Sequence, residues 1–527
     1  MSKTKKAAKS AIIIMIFSLG SKFLGFLREV LIASKFGAGM ETDTYFVAMT
    51  ATYLITNLIN NAISTTIIPV LSEIETKEGK ESKIRYTNNM INIIFVFSLV
   101  LVLIGFLASP LLVKLLAKGF YGEQFNLAVK LIRIGLPIIV FSCILGAVIG
   151  FLQSEQRYTS PAAIGFPFNF VFIFYLIFLS TIFGIKGLMF SAVIATLSQL
   201  LIQIPEIKKT GFRYKFIFDL KDKYIKKVIF LSLPVFVGIA INDLNAIVDR
   251  TLASSLVEGS ISALNYANKL NSLILGVFVS AITTVIFPLL ANESNNDNIQ
   301  GLKKIMGYGV NLILLITIPA TVGLIVLSNP IVEVAFQRGE FDATATMMTS
   351  QALIYYSIGL VAMSLRLLIT RVYYSLQDTK APMINGVISA VFNIVLNLIL
   401  VNFMAHAGLA FATSIATTIS TILMFYGLKN KIGSLGIKSY IKCTLKAGLS
   451  SIIMGVIVYY VYKELYSILG VSKLFNLLSL VAAAGVGVIV YGLLCYMLGI
   501  EEIREIVGKS KNLVNKMLKV KKINSTN

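Results

Sequence analysis

The residues best able to do chemistry here are charges in places from which lipid would exclude them. Lys22, Arg28 and Glu29 fall in the first long apolar run, Asp243, Asp249 and Arg250 in the seventh, Lys269 in the eighth, and Arg366 and Arg371 in the tenth. A cation near the centre of a membrane helix costs about 2.5–3.5 kcal/mol on insertion scales. It must therefore face water or find a partner. Some have one at hand: Arg28 is next to Glu29, Asp249 is next to Arg250, and Arg371 can snorkel to an edge. Lys22 and Lys269 have no acidic neighbour in sequence. The expectation is that Lys22, Arg28 and Lys269 line one water-filled cavity. A positive cavity suits an anionic substrate, and a diphosphate accepts the charge-assisted hydrogen bonds that Arg and Lys donate.

A second group is rich in oxygen. Asn393 and Asn397 are spaced i,i+4 and share a helix face. Asp249 from the seventh run and Thr413 from the twelfth could join them. Such a cluster can hold a small cation such as Na⁺. The alternative is a hydrogen-bonded network of Asn and Thr, which glues membrane helices together.

The elements that must position these residues follow from composition. The chain has 527 residues, 56% of them hydrophobic and 14% charged, with a mean hydropathy of +0.82. A soluble domain keeps about a quarter of its residues charged, so the expected fold class is an all-α integral membrane protein. A span needs about 20 apolar residues. About fourteen candidates begin near residues 11, 43, 88, 127, 160, 186, 226, 260, 306, 345, 382, 408, 440 and 473. The N-terminus runs from MSKTKKAAKS into an apolar stretch that continues through Arg28 to Gly37, and reads as an uncleaved first helix. The net charge of +22 is carried by short connections and the tail. Basic residues concentrate at the N-terminus, residues 74–87, 208–227 and 429–442, and the C-terminus, which places both termini in the cytoplasm. That pattern explains the charge without nucleic acid. No phosphate-binding G-x-x-x-x-G-K-[ST] loop is present. Cys143, Cys443 and Cys495 lie in apolar runs without paired spacing and read as core residues. His406, beside Gly408, reads as a loop residue at a helix junction. No catalytic residue or cofactor is expected, apart from Na⁺ as a coupling ion.

The chain also reads twice. AISTTIIP at 62–69 is similar to AITTVIFP at 281–288, Phe168-Asn169 to Phe392-Asn393, Leu152-Gln153 to Leu376-Gln377, and Gly187-Leu188 to Gly408-Leu409. The offset stays close to 220 residues. An even number of helices per repeat makes the halves parallel, and parallel-repeat transporters bind substrate between their halves. The expected organisation is a six-helix lobe over 1–215, a second over 216–435, two further helices over 436–500, and a basic tail over 501–527.

Three stretches resemble a known family. SKFLGFLREVLIASKFGAGMETDTYFVA at 21–48, FQRGEF at 336–341 followed by Ala352-Leu353, Tyr356 and Gly359-Leu360, and YYSLQDTKAP at 373–382 are similar to the MurJ (MviN) lipid II flippases. The resemblance covers roughly residues 10–435. It implies membership of a superfamily of multidrug and oligosaccharidyl-lipid exporters, and translocation of lipid II between leaflets of the inner (cytoplasmic) membrane by alternating access. It further implies substrate binding at Arg28 and an acidic gate at Asp43. Lys22 and Lys269 stand where the family usually has arginine, which keeps the charge and loses the bidentate fork. In the second span the family's basic pair and Gly-Glu-Gly-like turn are replaced by Ile55-Thr56 and Ile59-Asn60-Asn61. That departure leaves room for another undecaprenyl-diphosphate-linked glycan as substrate. A cation-coupled drug exporter would instead favour acidic residues where Lys22 and Arg28 stand. A membrane glycosyltransferase would need a carboxylate pair on a sizeable external loop, and the loops are short. The implied partners are lipid II or a related glycan, the bilayer, and cell-wall synthesis proteins.

Overall fold

In the computed structural model the backbone is described over residues 3–469 and 472–505, and side chains over 16–57, 59–60, 66–230, 243–469 and 472–505. Among these residues there is no β-strand; the chain is a succession of helices. They are α1 (Lys3–Phe36), α2 (Met40–Leu116), α3 (Gly122–Gly135), α4 (Pro137–Ser154), α5 (Thr159–Ala162), α6 (Gly165–Phe178), α7 (Ser180–Leu201), α8 (Ile204–Lys208) and α9 (Lys223–Ser254). There follow α10 (Ser260–Ile274), a π-helical turn (Leu275–Val279), α11 (Ser280–Asn295), α12 (Ile299–Val326), α13 (Ser328–Phe336), α14 (Ala343–Ile358), α15 (Leu360–Ser375), α16 (Lys380–Ile432), α17 (Ile437–Leu469) and α18 (Lys473–Met497). Nine helical segments among the described residues are long and apolar enough to cross a bilayer, or ten with the bent pair α14–α15 counted as one. This is a multi-pass membrane protein. Three helices are broken by positive-φ residues, α2 at Gly79, α7 at Gly184 and α16 at Ala405. The tail beyond residue 505 and the side chain of Asn61 lie outside the described residues.

The positive-φ residues recur. Gly37 pairs with Gly259, Gly79 with Asp297, Gly122 with Gly339, Gln156 with Gln377, Gly184 with Ala405, and Gly211 with Gly433, at offsets of 217 to 222 residues. Only Gly436 and Gly499, late in the chain, are left over among the described residues. A left-handed residue marks a turn or break that most side chains disfavour, so its recurrence records the same path taken twice. It also aligns Gln156, rather than Gln153, with Gln377. Pro69 in α2 and Pro288 in α11 add a matched pair of prolines inside helices.

The residues fall into two compact units. The first comprises 1–266, 336–348 and 393–409; the second comprises 267–335, 349–392 and 410–527. In the first, α2 packs on α4, α9 and α3, α6 on α7, and α1 on α6. Its core includes Val47, Ala48, Ile67, Leu71, Phe151, Leu188 and Ala192, all fully buried. Beside the lysine-rich break of α2 at Gly79, Lys83 is wholly buried, with Nζ 2.7 Å from Glu75 and 2.5 Å from Glu155. Burial, the largest single influence, would raise the Glu155 carboxyl; the hydrogen bond and charge of Lys83 together with those of Lys80 outweigh it and hold the group below its usual range. In the second unit, α12 packs on α17, α15 and α11, and α17 on α18. Tyr491 donates to the Leu315 carbonyl at 2.9 Å and Tyr373 to that of Met424 at 2.9 Å, so each buried hydroxyl is satisfied.

Candidate functional site

Small residues let α1 and α6 approach closely. A Cβ on Gly20 would stand 2.8 Å from the Phe166 ring, and Gly165 lies directly against Ser21. Asn169 of α6 donates to the Ser21 carbonyl at 3.2 Å, tying the pair together. This packing delivers two phenylalanines one turn apart, Phe168 and Phe172, to Arg28. The guanidinium carbon lies 5.4 Å and 5.0 Å from their ring centroids. Arg28 also donates to Glu29 at 2.7 Å. The local pair that the sequence offered does form, and two aromatic faces flank it. The buried Nε of Arg28 has no hydrogen-bond partner among the described residues. The arginine is held in place with one strong donor still unused.

Phe168 is also part of the wall of a cavity of about 240 Å³ within the first unit. Its polar lining is neutral: Thr52, Thr56, Asn57 and Asn60 from α2, Ser142 from α4, and Thr196 and Gln199 from α7. Asn60 donates to Ser142 at 2.7 Å, and Asn57 lies 3.4 Å from Asp243. Sequence reasoning missed this cavity. The signal was present, because Thr52, Thr56 and Asn60 recur every fourth residue and so mark one polar stripe on α2.

At the end of the helices remote from the lysine-rich loops, two helix starts cap each other. Asp43 is buried near the start of α2. It accepts from the Gly259 amide at 2.9 Å, the Ser262 amide at 2.7 Å and the Ser262 hydroxyl at 2.5 Å, all at the start of α10. Glu258 answers by accepting from the Met40 amide at 2.5 Å, at the start of α2. Each carboxylate satisfies amides that a helix N-terminus leaves bare, in the favourable field of the helix dipole. The turn at Gly339 closes on the same end: Glu340 donates its amide to the Ser34 carbonyl at 3.0 Å. Gly259 and Gly339 both have positive φ and backbone in contact, Ala38 and Ser34 respectively.

The oxygen cluster assembles in part. The Asn397 amide nitrogen donates to Asp249 at 2.5 Å and to Asn393 at 2.8 Å, all within the first unit. Asn245, one turn before Asp249, approaches it at 3.5 Å and was not foreseen. Thr413 belongs to the second unit. The amide nitrogen of Asn397 sits between two oxygens, which is the hydrogen-bonded alternative. Rotating that amide by half a turn would bring a third oxygen to the same point.

A family model described as lipid II flippase MurJ matches residues 32–480. The chain belongs to this family. A probable lipid II flippase MurJ of Vibrio cholerae is 31% identical over 444 residues, covering 81% of this chain and 83% of that protein. The lipid II flippase MurJ of Burkholderia cenocepacia is 26% identical, covering 79% and 82%. A solved structure of lipid II flippase MurJ in an inward closed conformation superposes with a TM-score of 0.78 at 27% identity, over 94% of this chain and all of that one. A multidrug MATE transporter, inward-facing, superposes at 0.65 with 14% identity over 81% of this chain and 98% of its own, and shares the fold alone.

Against the MurJ family, Asp43, Asp249, Lys269, Asn393, Asn397 and Thr413 lie within the matched residues; Lys22 and Arg28 precede them. Lys22 and Arg28 belong to the first unit, half-buried or nearly buried, and Lys269, also half-buried, to the second. In the second unit, Arg366 reaches Ser389 at 3.4 Å and Arg371 lies 5.5 Å from the Phe287 ring. His406 is not in a loop. It is buried inside α16, directly after the break at Ala405, with Nε2 3.0 Å from the Met348 carbonyl. A helix that breaks and resumes within one residue leaves no room for a loop. The three cysteines are buried and free.

Proposed function

We propose that this protein is a lipid II flippase. It carries the lipid-linked peptidoglycan precursor from the cytoplasmic to the outer leaflet, with both termini in the cytoplasm, and performs transport rather than bond-making. The observation that carries the reading is Arg28, held by Glu29 and two phenylalanines with its Nε unused beside a neutral polar cavity. The planar guanidinium matches a diphosphate oxygen pair. The amides and hydroxyls of the cavity suit the uncharged hydroxyls and amides of a sugar-peptide head. Lys22 and Lys269 supply further positive charge from each repeat. The Asp43–Ser262 and Glu258–Met40 contacts are the outer gate, which separates when the carrier opens outward. Asp249, Asn393 and Asn397 take up Na⁺ once the Asn397 amide turns its oxygen inward. An ion gradient or the membrane potential resets the empty carrier; one charge through 100 mV is worth about 2.3 kcal/mol.

The test is complementation of a flippase-depleted bacterium, alongside an assay of lipid II exposed on the outer leaflet. Arg28→Ala abolishes both at matched expression. Arg28→Lys impairs them less, and Lys22→Arg is tolerated. Normal growth and exposure with Arg28→Ala defeats the reading.

A further inference from the structure

Between α8 and α9 the chain runs extended over residues 212–219. Three buried asparagines of α2 hold it there. Asn88 donates to the Arg213 carbonyl and accepts from the Lys215 amide, both at 3.0 Å. Asn92 donates to the carbonyls of Lys215 and Ile217 at 3.3 and 3.0 Å. Asn89 donates to the Asp219 carbonyl at 2.9 Å and accepts from its amide at 2.7 Å. Every backbone contact is to an odd-numbered residue, as expected when one edge of an extended chain faces the helix, and the Tyr214 hydroxyl adds a side-chain tie by donating to Asn92 at 2.6 Å. Of the even-numbered side chains, Phe212 packs on the Phe151 ring at 5.4 Å, and those from 214 on are exposed. Tyr214, Phe216, Phe218 and Leu220 are 63%, 74%, 44% and 56% exposed, an unusual load of bare apolar surface for a connector.

The segment rises to the level of Asn92 at residues 215–217 and returns to Asn89 at Asp219, so Phe216 is at its crest. One turn beyond Asn92 the lipid-facing run of α2 begins, with Phe95, Val96 and Phe97 exposed. The crest therefore stands at the boundary between water and hydrocarbon. Arg213, Lys215 and Lys221 flank it, exposed, and none enters an ion pair among the described residues. The two nearby acids are engaged, Asp219 by the Lys221 amide and Asp222 by the start of α9. Aromatic side chains at the headgroup level with flexible cations around them are what an anionic membrane surface binds.

We propose that residues 212–221 are an interfacial strap that binds anionic phospholipid. The aromatic crest enters the headgroup region, Arg213, Lys215 and Lys221 meet lipid phosphates, and the asparagines of α2 fix its height. The proposal does not depend on which substrate is carried.

The chain contains no tryptophan, so Phe216→Trp installs a single reporter. The protein is placed in nanodiscs of equal phosphatidylglycerol and phosphatidylcholine, with brominated chains on one lipid only. Quenching is expected to be roughly twofold or more stronger with bromine on phosphatidylglycerol, since each cation enriches anionic lipid about fivefold. The preference disappears in high salt and in the Arg213→Gln/Lys215→Gln/Lys221→Gln background. Leu107→Trp, on the exposed face of α2, is the control and is quenched by both lipids. An indole at 216 that emits as in water, without quenching, overturns the proposal; so does equal quenching by both lipids. In the unsubstituted protein, amide exchange over 212–221 slows in phosphatidylglycerol discs relative to phosphatidylcholine discs, and an unchanged rate overturns it as well.

Discussion

Replacing Asp43 by asparagine isolates the charge of the reciprocal cap while keeping its shape. In the native protein one carboxylate oxygen takes both Ser262 donors and the other takes the Gly259 amide. The asparagine oxygen can keep Ser262. Its NH₂ then faces the Gly259 N–H, donor against donor. One charge-assisted hydrogen bond is lost and a buried amide is left without an acceptor, which costs about 1.5–3 kcal/mol. At 1.4 kcal/mol per decade the local opening of the start of α10 becomes about ten- to a hundredfold more frequent. Hydrogen exchange, read by mass spectrometry on peptides covering 256–266, measures that opening directly. Gly259 should speed up by this factor and Ser262 by less. Asp43→Ala removes all three acceptances and should expose both amides. If exchange at Gly259 in Asp43→Asn stays within about twofold of the native rate, the carboxylate is not what holds these helix starts.

Lys83→Met should lower the thermal midpoint in detergent, losing up to about 3 kcal/mol because Glu155 keeps a nearly buried carboxylate with only the half-exposed Lys80, at 3.5 Å, left to pair with it; an unchanged midpoint refutes this. Gly339→Ala and Gly211→Ala each impose a positive-φ penalty, but a Cβ at 339 would collide with the Ser34 carbonyl while the space at 211 is open. Gly211→Ala should cost only about 1 kcal/mol, Gly339→Ala clearly more, and equal midpoints would show that the 339 turn is not packed as described. The Asp378 carboxyl is held below its usual range by Lys431, with the Ala381 amide adding to it. A depressed native pKa gives stability that is present above the unfolded value and lost as pH falls through the native one. Asp378→Asn should therefore be less stable than the native chain at neutral pH, with the gap starting to close below about pH 4 and shrinking as pH falls through the depressed native value; a gap undiminished at pH 3 contradicts the pairing.

The amino-acid sequence by itself determined the solvent and the helical class. Those are written in composition and in apolar runs of about 20 residues, which lipid enforces segment by segment. It also marked Asp249, Asn393 and Asn397, because polar groups in apolar helices stand out one at a time. The partners of those groups were decided only by tertiary structure. Nothing local to Asp43 announces Gly259 and Ser262, more than 200 residues away, and only the fold brings two helix starts together to cap each other. Arg28 shows both levels: Glu29 was visible next to it, whereas Phe168 and Phe172 reach it through the close approach of α1 and α6 that Gly20 and Gly165 permit. The neutral cavity was half legible, as a stripe on α2 without the α4 and α7 residues that close it. His406 was misplaced because a single left-handed residue, Ala405, breaks a helix without a loop, and no residue type there signals it. Sequence periodicity reports which faces are polar; which polar face meets which is fixed by packing between segments distant in the chain.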